Sequence, residues 1–175
     1  MNKAPLTQRP FAGALRHLAG SPADTRRLPL RPNPQPRRTQ KRPSVPQGPT
    51  PQMAFDRIWT HFVLERKPGG MNENGFSNYR GEGGLRCAIG LLLPDDLYDV
   101  WMEGCPIMQV VKRYPDVWRY FSRIPPKLLS ALQGAHSDAA IRWAQDGTDF
   151  HAEIERSLLK ISRQFGLSIP RTVPV

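Results

Sequence analysis

From Met53 onward, apolar residues recur at helical spacing through most of the chain. Phe55, Ile58, Trp59, Phe62 and Val63 share one face of a first predicted helix. Asp56 suits its first turn, Arg66 and Lys67 suit its last, and Pro68-Gly69-Gly70 stops it. Ile107, Val110, Val111 and Tyr114 repeat in the same way, and Pro115 then opens a further piece that carries Val117, Trp118 and Phe121. Pro125-Pro126 starts the next helix, with Leu128, Leu129, Leu132 and Ala135 as its stripe and Ile141, Trp143 and Ala144 continuing it. The last helix is the most regular. Thr148 or Asp149 caps it, Phe150, Ile154, Leu158, Ile161 and Phe165 face inward, and Gly166 ends it. Glu153, Glu155, Arg156, Lys160 and Arg163 read as its solvated face.

Between the first two helical stretches the period changes. Residues 76–80 and 85–89 are short runs separated by Gly81-Glu82-Gly83-Gly84, whose glycines permit a tight reversal, so the pattern predicts a small β-hairpin. Leu91, Leu92 and Leu93 then lead into Pro94-Asp95-Asp96, a proline and two acids suited to a helix start. The expected fold is therefore mainly α with one small β-hairpin (α+β), a single compact domain over residues 53–175. Trp59, Trp101, Trp118 and Trp143 are expected to anchor its core. Trp101 and Met102, set between Asp99 and Glu103, are the pair expected to serve as an exposed partner-binding spot.

Charge separates this region from what precedes it. The whole chain of 175 residues carries a formal net charge of +10, but residues 1–52 account for +9 and the remainder for only +1. The same 52 residues hold eleven of the nineteen prolines and bury little apolar surface, so they are expected to form a disordered basic arm with polyproline II bias. A solvated tail is the simplest reading. Sequence-independent contact with nucleic-acid phosphates through Arg26, Arg27, Arg31, Arg37, Arg38, Lys41 and Arg42 is the sharper one. With Phe11 the only ring, base stacking has little support there. An organelle transit peptide, a mis-assigned start upstream of Met53, and an SH3-type ligand at Arg26 to Pro32 are further readings of the same composition. The most apolar charge-free run, residues 87–94, falls far short of the ~18–20 residues that cross a bilayer, so no membrane role is expected.

Candidate chemistry concentrates in one block. Tyr79-Arg80-Gly81, Cys87-Ala88-Ile89-Gly90, Leu93-Pro94-Asp95, Tyr98 and Glu103-Gly104, followed later by Leu132-Gln133 and His136, resemble a set of short uncharacterised bacteriophage and prophage proteins. The resemblance covers residues 53–167 and leaves out the arm. It implies a phage or prophage origin and a cytoplasmic setting in the host cell, and it brings no activity and no site residues with it.

Read from the residues alone, Cys87 with His136 as base and Asp138 or Asp95 as orienter would make a thiol-hydrolase arrangement. Packing is the weightier reading of Cys87, which sits among Leu85, Ala88 and Ile89. Cys87, Cys105, His136 and His151 lack the short spacings of a zinc site, and Gly81 to Gly84 lack the ending of a phosphate loop, so neither metal nor cofactor is expected. The expected function is that of a small non-enzymatic interaction protein that binds a host or phage macromolecule, with the arm adding affinity for nucleic acid. A thiol-dependent enzyme built on Cys87 and His136 is the alternative.

Overall fold

Thr50-Pro51 starts the first helix. The Thr50 hydroxyl accepts a hydrogen bond from the Met53 amide at 3.2 Å, and proline is tolerated at the first helical position because its missing N–H would have no partner there. Helix α1 (Pro51–Trp59) then widens into a π-helical turn at Thr60–Leu64. Arg66, in the left-handed region at φ 47°, ends it. The folded part thus reaches upstream of Met53, and Gly48 already lies against the Tyr120 carbonyl. The computed structural model describes residues 45–72 and 77–171. These belong to one compact unit, Arg42–Val175.

Five further helices follow: α2 (Ala88–Leu92), α3 (Ile107–Arg113), α4 (Pro115–Phe121), α5 (Pro126–Asp146) and α6 (Phe150–Phe165). Proline opens α4 and α5 as the sequence predicts. The stretches on either side of Ser137-Asp138 are one uninterrupted helix of 21 residues, which Gly147 ends in the left-handed conformation. Asp149, rather than Thr148, caps α6 by accepting from the His151 and Ala152 amides. The α5–α6 pair makes the most extensive contact in the fold, while α2 packs on both α1 and α5. The core runs from Phe55, Ile58 and Phe62 through Ile89 and Leu92 to Leu129, Leu132, Ile154 and Leu158.

Several expectations change here. The β-hairpin does not form. Among the described residues there is no sheet, only an isolated antiparallel bridge between Met71 and Ser77. Glu82–Gly84 is a 3-10 turn, Cys87 already caps α2, and the strand expected over 85–89 is split between that turn's exit and the helix. Asp95–Leu97 is a single 3-10 turn rather than the start of a longer helix. Of the four tryptophans only Trp59 is buried, and Trp101, Trp118 and Trp143 are exposed. Glu153 leaves the expected solvated face, being buried in ion pairs with Arg156 and Arg142.

Candidate functional site

The Tyr79–Glu103 block folds into a polar lattice with Arg80 and Glu103 at its centre. The Arg80 guanidinium donates to the carbonyls of Tyr79 (3.0 Å), Gly90 (2.9 Å) and Leu93 (2.8 Å). It thereby satisfies acceptors that the short helix α2 leaves open at its C-terminal end. Its Nε donates to Asp95, which also receives Arg86, and both hydrogen bonds hold the Asp95 carboxyl below its ordinary range. The Tyr98 ring lies under the same guanidinium at 4.9 Å.

Glu103 completes the arrangement from the other side. Its carboxylate accepts from the backbone amides of Tyr79 and Arg80, both at 2.9 Å, and from the Tyr98 hydroxyl at 2.8 Å. Tyr79 in turn donates through its hydroxyl to the Cys105 carbonyl at 2.8 Å. Gln133 on α5 donates to that hydroxyl and accepts from the Ile107 amide, so the later Leu-Gln element is physically tied to the first block. Gly90 is required by close approach: a Cβ there would stand 2.2 Å from the Tyr79 carbonyl oxygen.

The lattice brackets a short 3-10 turn, Val100–Met102, with Tyr98 fastened before it and Glu103 and Cys105 after it. Asp99 caps the turn by accepting from the Trp101 amide at 2.9 Å. At three residues per turn its side chains point about 120° apart. Val100 is 66% exposed and Trp101 72%, whereas Met102 is fully buried. Trp101 is therefore exposed, as the expected surface spot requires and the expected core anchor does not, whereas Met102 belongs to the core and the exposed neighbour of Trp101 is Val100.

The proposed thiol constellation is not assembled. Cys87 is 1% exposed, and its sulfur caps α2 by accepting from the Gly90 amide at 3.4 Å. Backbone N–H groups do favour the thiolate, as a helix start should, but burial outweighs them and pushes the thiol up to about 11. His136 is buried between Phe62 and Phe150, and its Nδ1 lies 2.8 Å from the Ser77 hydroxyl. Asp138, two residues further along α5, is exposed on the opposite side, and Asp95 is committed to Arg80 and Arg86.

Ser77 is the residue that the sequence did not suggest. Its hydroxyl also meets Ser137 at 3.0 Å and borders a cleft of about 350 Å³ shared with Gln133 and Cys105. Burial, reinforced by the nearby His61, lowers His136 to about 3. A proton taken from Ser77 would create a buried imidazolium, and His136 Nε2 has no hydrogen-bond partner. The pair fastens the Ser77 segment to α5 and does not activate the serine.

No protein-family model, curated protein or solved structure matches the chain. The remaining candidates are placed by geometry alone. His151 makes its ring contact to the Phe62 carbonyl and Cys105 its thiol contact to the Trp101 carbonyl, and among the described residues no three His, Cys, Asp or Glu side chains converge as metal ligands. No helix among them is long and apolar enough to cross a membrane. Arg26, Arg27, Arg31, Arg37, Arg38, Lys41 and Arg42 lie outside the described residues.

Proposed function

We propose that the protein is a small non-enzymatic binding protein that docks a macromolecular partner on the Val100–Trp101 turn. The observation that carries this reading is the 72% exposure of Trp101 on a turn held by the Arg80–Glu103 lattice. A large aromatic side chain on fixed backbone offers contact area at little ordering cost, which is the property of interface hot spots. The resemblance of the lattice residues to phage and prophage proteins directs the search for the partner to host or phage proteins. The basic residues 1–52 would add sequence-independent affinity for nucleic acid.

Co-purification of the full chain from its host tests this. Trp101→Ala should reduce recovery of the bound partner by more than about 30-fold in affinity, the equivalent of a hot spot of about 2 kcal/mol. Its unfolding free energy should stay within about 0.5 kcal/mol of the parent, because the side chain packs on little. Trp118→Ala should bind normally. Equal partner recovery by the parent and the Trp101 variant would remove the basis of the proposal.

A further inference from the structure

A second surface feature lies apart from the Trp101 turn. Arg57 from α1, His61 from the π-helical turn, Lys67 just beyond it and Arg86 from the segment entering α2 line one cleft of about 440 Å³. Three permanent positive charges and an imidazole on one cavity stand out in a region, residues 53–175, whose net charge is only +1. No carboxylate lines this cleft. Glu65 pairs with Lys67 and Asp95 with Arg86, while Asp56 and Glu65 border the adjoining cleft that shares Arg57 and His61. Arg57 has no ion-pair or hydrogen-bond partner among the described residues, and its side chain is exposed.

The His61 ring lies near the Pro68 backbone, and its Nε2 is buried with no hydrogen-bond partner. Burial lowers its affinity for a proton, and the neighbouring cations Lys67 and Arg57 lower it further against the opposing effect of Glu65; His136 faces it from α5. The backbone that carries it is itself unusual. A π-helical turn and a non-glycine residue in the left-handed region occur within seven residues, features that concentrate at functional positions.

We propose that this cleft is a binding site for a small phosphomonoester. Guanidinium and ammonium groups converging on one cavity suit a compact dianion: the unpaired Arg57 can offer paired N–H donors, while Arg86, held by Asp95, and Lys67, beside Glu65, add positive charge with the donors those pairs leave free. Leu85, Leu91 and Pro68 on the same cleft provide apolar contact for the organic part of the ester. The volume is that of a small-molecule site. A nucleic-acid backbone would instead call for cations arrayed along a stripe.

The site is independent of the Trp101 reading and is tested on the full chain by calorimetric titration and histidine NMR. The probes are inorganic phosphate, phenyl phosphate, benzoate and a short DNA duplex at fixed ionic strength. Phenyl phosphate should bind saturably and more tightly than inorganic phosphate or benzoate, and its occupancy should move the His61 titration midpoint upward. Arg57→Gln and Lys67→Gln replace exposed side chains, so the fold should persist, with the melting temperature within about 3 °C, while phenyl phosphate affinity falls at least about tenfold in each. Three results would overturn the proposal: no saturable binding of phenyl phosphate below about 10 mM, unchanged affinity in both variants, or duplex DNA alone responding to them.

Discussion

Cys87 shows how competing effects at one residue are decided by magnitude. The helix start favours the thiolate and burial disfavours it, and with the thiol pushed up to about 11 burial prevails. Iodoacetamide at neutral pH should therefore label Cys105, which is partly exposed, well before Cys87, with Cys87 reacting only when denaturant is added. Rapid stoichiometric labelling of Cys87 in the folded protein would contradict its role as a buried cap. His136 has a measurable pH signature. Its folded value of about 3 lies below the ordinary 6.5, so between these limits the unfolded chain binds the extra proton and stability falls as pH falls. The loss approaches about 1.4 kcal/mol per pH unit within that window, and His61 is shifted in the same direction. The exposed carboxylates Asp95, Asp146 and Asp149 are lowered too, and their contribution is lost only at more acid pH, below about 4. Urea unfolding from pH 6.5 to 4.5 should show a decline in the parent and a shallower one in His136→Gln; a flat parent profile would contradict the burial of a neutral imidazole.

The long helices were legible because periodicity accumulates over many residues, as the stripe from Phe150 to Ile161 illustrates. Their starts were legible wherever a proline or an acid cap marked them. The Thr50-Pro51 start was hidden inside a proline-rich stretch whose composition argued for disorder, although threonine followed by proline is itself a helix-start signal. The hairpin failed for a different reason. Glycine-rich segments between short apolar runs serve hairpins and irregular loops alike, and the choice is made by partners distant in sequence: Arg80 satisfies the Gly90 and Leu93 carbonyls, and Glu103 takes the Tyr79 and Arg80 amides. Those pairings leave no periodic trace. Met102 was misplaced because the Asp99 cap sets a tight turn that sends neighbouring side chains in different directions. Glu103→Ala would leave two backbone amides and a tyrosine hydroxyl without their acceptor, and should cost about 3 kcal/mol in unfolding free energy. A change below about 0.5 kcal/mol would show that the lattice does not hold the Val100–Met102 turn.

At the scale of the whole molecule, the overall charge of +10 describes residues 1–52 far better than the folded unit. Within the unit, the cationic cleft beside α1 is a local concentration, and the Val100–Trp101 turn is apolar and exposed. The molecule thus separates a partly buried polar scaffold from the apolar turn that it presents. A photo-reactive phenylalanine analogue in place of Trp101 tests that separation most directly when the full chain is irradiated in its host. The expected result is one discrete cross-linked protein, absent when the same analogue replaces exposed Arg123. Equal cross-linking at both positions, or none at position 101, would contradict the assignment of the turn as the docking surface.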